Sequence, residues 1–185
     1  MENTGNYNIR RLWPLDFPAF RRHLIRLDPE TRQRRFGLSV NDGFLAAYAE
    51  QARRLGTVVY GAFGNGEIHA SAELRALAHL DNATAEAAFT VERGVQDHGL
   101  GTILMERIIT AAQNRGIGQL YMICLSDNER MRHLAGKFGA RLRLEQGEVL
   151  GQIEPAHPTP ASLLDESWRN AHGFVTAMLD WRPGP

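Results

Sequence analysis

Thr84-Ala-Glu-Ala-Ala-Phe-Thr-Val91, a four-residue break and then Gln96-Asp-His-Gly-Leu-Gly101 form the stretch that decides how this chain is read. The first half alternates. Ala85, Ala87, Phe89 and Val91 fall on one face of an extended segment, and Glu86, Ala88 and Thr90 on the other. The second half opens a helix whose Leu100, Leu104, Ile108, Ala111 and Ala112 share a side, with Gly116 as its stop. Glycines at 99 and 101 let backbone amides crowd together and face outward. The helix start adds about half a positive charge. Together they make an anion site suited to a pyrophosphate. Two other phosphate patterns fit worse: a dinucleotide fingerprint needs a third glycine where Leu104 stands, and a P-loop needs Lys-Ser/Thr where Thr102-Ile103 stand.

Working outward, residues 57–92 read as an antiparallel meander. Thr57–Phe63 is a β-type run, Gly64-Asn65-Gly66 a hairpin turn, 67–75 a second alternating strand and Asp81-Asn82 a further turn. Upstream, Asn8–Trp13 is a strand ended by Pro14. Asp16 is expected to cap a helix to Leu27, Asp28-Pro29-Glu30 to restart one, and Asn41 or Asp42 to cap a third ending near Gly56. Downstream come a buried strand at 119–125 and a helix begun by the capping-box pair Ser126 and Glu129. Its apolar residues are Met131, Leu134, Ala135 and Phe138, and Gly139 stops it. A closing hairpin turns around Gly147. Pro155, Pro158 and Pro160 mark a linker to a last helix at 161–181. The expected organisation is one domain over residues 1–156 and a linker with a helical extension over 157–185, packed on the domain or on a partner chain.

Composition narrows the function. The 185 residues include 21 basic and 21 acidic ones, a net charge of zero, which argues against coating nucleic acid or an anionic membrane. Charge is uneven: residues 1–56 carry ten Arg and six acids, clustered at Arg21, Arg22, Arg26, Arg32, Arg34 and Arg35. That cluster is either a solvated helical face or a surface that receives a phosphate-bearing or acidic partner. Lys137 is the only lysine. Cys124, the only cysteine, lies in an apolar run and reads as a small core residue. The seven histidines show no metal-ligand spacing. No stretch approaches the roughly 18 apolar residues of a membrane span, and the N-terminus lacks a signal-peptide pattern, so a cytoplasmic location is expected.

With its flanks, the 84–101 stretch resembles the GNAT superfamily of acyl-CoA-dependent N-acetyltransferases. The second match is Asn128-Glu-Arg-Met131-Arg-His-Leu134 running to Gly139-Ala140, which looks like that family's Asn-led helix. The likeness spans residues 8–153. His23 to Phe36 is similar, more loosely, to bacterial protein-lysine acetyltransferase-type GNAT domains. One departure stands out: where many members carry a tyrosine that protonates the leaving thiolate, this chain has Ala135. Tyr121 and Tyr60 are the nearest tyrosines in sequence, with no motif behind either, and water is the other candidate acid.

The resemblance implies an α+β fold with a mixed central sheet, strands one to four antiparallel, and a parallel strand at 119–125 splayed from its neighbour after Val91. It implies acetyl-CoA as co-substrate, no metal, and a primary amine as acceptor, on a small molecule or a protein lysine. The partners are these two, with no nucleic acid and no membrane, and the tail leaves room for a homodimer. A non-catalytic acyl-CoA sensor is the alternative. On this reading Gln96, Asp97, His98, Gly99, Leu100, Gly101 and Thr102 clamp the cofactor. The Val91 backbone N–H donates to the thioester carbonyl, and Asn128 contacts the pantetheine or organises the splay. Glu86 is the base, with Glu92 and Glu73 as rivals.

Overall fold

The computed structural model describes residues 7–53, 57–77 and 83–179. Seven strands form one sheet: β1 (Asn8–Arg11), β2 (Thr57–Gly64), β3 (Glu67–Ala76), β4 (Thr84–Val91), β5 (Gln119–Leu125), β6 (Arg141–Glu145) and β7 (Glu148–Ile153). Their spatial order is β1-β2-β3-β4-β5-β7-β6. β1 to β4 are successively antiparallel, β5 is parallel to β4, and β7 lies antiparallel between β5 and β6. The expected mixed sheet is therefore observed.

Period-two alternation along β2, β3 and β4 gives the sheet two apolar faces, and helices cover both. On one face α1 (Phe17–Arg26) and α3 (Asp42–Ala52) bury Phe20, Leu24 and Leu45 against Val59, Phe63 and Ile68. On the other, α4 (Leu100–Asn114) lays Leu104, Met105 and Ile108 on Ala72, Leu74, Ala85 and Leu120. Each large aliphatic side chain so enclosed contributes about 1.5–3 kcal/mol. Cys124 is buried in β5, and burial pushes its thiol up, away from reactivity.

Local signals mostly act as read, with three corrections. Asp28 caps α2 (Pro29–Phe36), accepting from the Thr31 N–H at 3.1 Å, and Asn41 rather than Asp42 caps α3, accepting from the Phe44 N–H at 2.8 Å. Asp16 does not cap α1 with its side chain. It accepts from the Trp13 N–H at 2.7 Å and pairs with Arg10 at 2.7 Å, bracing the turn that ends β1. The Ser126–Glu129 box does not form. Asn128 caps α5 (Glu129–Lys137) instead, accepting from the Met131 N–H at 3.2 Å. The third correction concerns the splay and is taken up below. α3 ends at Ala52 with Arg53 as its C-cap, four residues short of the expected end near Gly56, and the Asp81-Asn82 turn lies outside the described residues.

The tail helix, α6 (Pro160–Leu179), packs on α4 and β1. Gly173 permits the close approach, since a Cβ there would stand 2.9 Å from the Arg10 Cβ. Among the described residues no helix is long and apolar enough to cross a membrane.

Candidate active site

β4 and β5 pair only as Thr84–Gln119, Ala85–Leu120 and Glu86–Tyr121. Beyond Glu86, β4 stays with β3 as far as Val91, while β5 stays with β7. The strands therefore part at Glu86, five residues earlier than the break after Val91. The reason lies in competing pairings: β4 keeps its full register on β3, β5 keeps its own on β7, and the parallel seam between them yields.

Register parity says what the gap contains. Thr84 accepts from the Leu77 N–H, and the Glu92 N–H donates to the His69 carbonyl. Even-numbered residues of β4 thus turn their backbone groups to β3. Ala87, Phe89 and Val91 turn theirs to the gap. Gln96 Nε2 caps the Val91 carbonyl at 3.1 Å. After this brace the chain turns through Asp97 (φ 65°) and Gly99 (φ 75°) into α4. The first amides of α4, at Leu100, Gly101 and Thr102, have no acceptor within the helix.

A groove of about 1320 Å³ opens there, lined by Val91, Gln96, Asp97, Gly99, Leu100, Gly101, Thr102 and Asn128. Its basic lining residues are Arg34, Arg35, Arg93, Arg130, Arg132 and Lys137, against the acids Glu30, Asp97 and Glu129. Arg130 bridges Gln96 and Asp97, tying α5 to the loop. A second cavity of about 280 Å³ lies beside Glu86. Arg34, Arg35, Phe89, Asn128 and Met131 line both, so the two meet at the parted strands. The groove at the start of α4 and the cavity beside Glu86 thus adjoin, a passage in two parts that share this lining.

The three candidate carboxylates differ sharply. Glu73 is buried in a lock: Arg35 donates to it at 2.7 Å and Tyr48 OH at 2.8 Å. Burial alone would lower the Arg35 pKa, but Glu73 and Tyr48 raise it, so the guanidinium stays charged. Glu92 receives His23 Nδ1–H at 2.9 Å, His69 Nδ1–H at 3.1 Å and Arg26 at 2.7 Å. Partial burial would raise its carboxyl; hydrogen bonds from His23, Arg26 and His69 overcome this and hold it down to about 2. Glu86 is half-buried and lines the second cavity, and its carboxylate has no hydrogen bond or ion pair to a described residue.

Of the other expected site residues, His98 is exposed and lines neither cavity. Ala135 is buried. Neither tyrosine lines the passage: Tyr121 OH bonds Gln119, and Tyr60, facing Glu166 of α6, is pushed up to about 12 by burial and by that carboxylate. Sequence reasoning missed Glu148, Phe89 and Met131 as cavity-lining residues, and no local pattern marks them. Arg34 and Arg35 did carry a signal, the basic cluster, but two of its other members serve as braces: Arg32 bonds the Leu27 carbonyl at 2.9 Å, and Arg26 bonds Glu92. Among the described residues no cluster of His, Cys, Asp and Glu is placed to hold a metal ion.

A mixed sheet of this order, parted beside a helix start, defines a protein of the GNAT fold. Residues 11–140 match the family model described as "Acetyltransferase (GNAT) family", and the chain belongs to that family. It is 34% identical over 85 residues to the acetyltransferase Pat of Mycolicibacterium smegmatis. That match covers 45% of this chain and 26% of the relative, so the chain spans only a minor part of it. The crystal structure of the GNAT domain of S. lividans PAT superposes with a TM-score of 0.72 at 20% identity, covering 83% of this chain and 93% of that one. The Salmonella typhimurium protein yncA, solved with its cofactor acetyl-CoA, superposes with a TM-score of 0.62 at 19% identity, covering 84% and 98%.

Proposed function

We propose that this protein transfers the acetyl group of acetyl-CoA to a primary amine by direct attack in a ternary complex, in the cytoplasm. The observation that carries the reading is the pair of adjoining cavities, one opening on the first amides of α4 and the other lined by an uncommitted carboxylate, Glu86. The pyrophosphate suits the α4 amides and the residue 96–102 loop, with the basic lining around it. The pantetheine arm lies between the parted strands like an added strand, beside the unpaired backbone of β4. Asn128, which already caps α5, sits where the arm would enter.

An amine is almost wholly ammonium at neutral pH and must lose a proton before it attacks. Glu86 takes that proton, through water where the amine lies too far for direct contact. The amine nitrogen then bonds to the thioester carbon. The Val91 N–H stabilises the oxyanion, the C–S bond breaks, and the thiolate leaves and is protonated by solvent. No tyrosine is required, because a thiolate is a good leaving group.

The second cavity has room for an alkylamine. Phe36, Phe89, Ile123, Leu125 and Met131 provide an apolar sleeve, and the acids Glu86 and Glu148 stand against Arg34 and Arg35 in the same lining, Arg35 being already paired with Glu73. A protein lysine and a small alkylamine both meet this description. A non-catalytic acyl-CoA sensor would have no need of the Glu86 carboxylate. The test is acetyl-CoA consumption across lysine peptides, polyamines, amino acids and aminoglycosides. Turnover with one amine class is expected. Calorimetric binding of acetyl-CoA without turnover on any amine would leave the sensor reading, and no binding at all would refute both.

A further inference from the structure

Helix α6 is amphipathic the wrong way round. The side it turns to the domain is polar and small. Ser162 Oγ donates to Asn114 at 2.6 Å, and Glu166 accepts from Asn114 at 2.7 Å and Arg115 at 2.9 Å. Gly173 rests on Arg10, and Thr176 accepts from Asn8 at 3.1 Å. The opposite side carries the large apolar residues. Leu164 is 72% exposed, Trp168 76%, Val175 56% and Met178 61%. With Ala171, also exposed, they recur at intervals of four, three, four and three. At 3.6 residues per turn all five fall within about 40° of one line along the helix. Leu163, partly exposed, widens the stripe on one flank, where Phe174 packs edge-to-face on Trp13 of the domain with ring centroids 5.2 Å apart. A stripe of this spacing is a coiled-coil seam lacking its other half.

We propose that the occupant is a second copy of this chain, its α6 packed antiparallel on this one. The stripe is complementary to itself in that arrangement. With the two-fold axis passing between positions 169 and 170, Trp168 meets Ala171 of the partner subunit, the largest residue against the smallest, and Leu164 meets Val175 of the partner subunit. The charged flank is self-complementary in part. Asp165, Arg169 and His172 border the stripe on one side only, with Asp165 and Arg169 paired at 2.7 Å. Antiparallel pairing sets that flank against itself, which brings Asp165 beside the imidazole of His172 of the partner subunit and leaves each Arg169, next to the two-fold axis, to its own Asp165. A net charge of zero leaves no long-range repulsion between copies.

Sedimentation equilibrium on the whole chain tests this. A reversible dimer is expected, and Leu164→Glu or Trp168→Glu should weaken it by at least about a hundredfold, because each substitution enters a symmetric interface twice. Both positions are exposed in the single chain, so unchanged circular dichroism should accompany the loss. A chain that stays monomeric at every concentration, or a dimer indifferent to both substitutions, overturns the proposal. Orientation is read by cysteine pairing. Trp168→Cys and Ala171→Cys chains should form a disulfide when mixed and oxidised, whereas Ala171→Cys alone should not. Cross-linking of Ala171→Cys with itself and none in the mixture would overturn the antiparallel register. Neither residue lines the passage, so acetyl transfer should persist in the monomeric variants, which keeps this test separate from that of the catalytic reading.

Discussion

Replacing Glu86 by Gln, with Glu73→Gln beside it, separates a working carboxylate from a structural one. Glu86 has no described ion-pair partner, so its neutral isostere leaves no charge stranded, and the stability should hold within about 0.5 kcal/mol of wild type. Turnover should fall by about 10²–10⁴-fold, the usual worth of a positioned base. The affinity for acetyl-CoA should not move, because the α4 amides lie beyond Val91, roughly 16 Å along the strand from Glu86. Glu73→Gln should show the opposite profile. The Arg35 and Glu73 side chains are only 9% and 3% exposed, and removing one partner of such a pair costs about 3 kcal/mol or more. For a chain of this size that is a drop of about 6–12 °C in Tm. Both variants are read by a thiol-release assay at saturating acetyl-CoA, a calorimetric Kd and a thermal melt. If Glu86→Gln keeps near-full turnover across pH 6–9 while Glu73→Gln loses turnover without losing stability, the assignment of the base is wrong.

Three further outcomes are expected. Gly101→Glu should weaken acetyl-CoA binding at least about tenfold by calorimetry, through charge rather than bulk: a Cβ at 101 meets Leu134 Cδ2 at an ordinary 3.5 Å, so Gly101→Ala should bind nearly as wild type. Stability should fall on acidification in two windows. Buried His23 is held below its usual range, so its contribution is present above about 6.5 and lost as pH falls through the depressed value. Glu92, at about 2 in the folded chain against 4.5 otherwise, loses its contribution between those values, and Glu92→Gln should remove that second window from a pH series of melting curves. Gly173→Ala should lower the unfolding free energy by about 1–3 kcal/mol despite alanine's better helix propensity, because its Cβ would stand 2.9 Å from that of Arg10; an unchanged melt would mean that α6 is not docked as described.

How much of this was legible beforehand follows from the range of the forces involved. The alternation of 57–91, the glycines at 99 and 101 and the helical spacing from Leu100 are local, and they mark strands, an anion-binding helix start and the family likeness without any contact being known. Caps were half legible. Asp28 and Asn41 act on amides three residues away, as read, whereas Asp16 was drawn off by Arg10 and the Ser126 box lost to Asn128. Where β4 and β5 part could not be read from either strand, because it depends on whether β3 and β7 hold their partners more firmly than the parallel seam does. The same holds for the three carboxylates, which look alike along the chain. Burial against Arg35 and Tyr48 occupies Glu73, and two histidines and Arg26 from distant segments occupy Glu92. Glu86 alone of the three is left open on the cavity. The apolar spacing of the tail was plain in the sequence, but the side it turns outward was decided only when Gly173 and Glu166 found β1 and α4, leaving Trp168 in water.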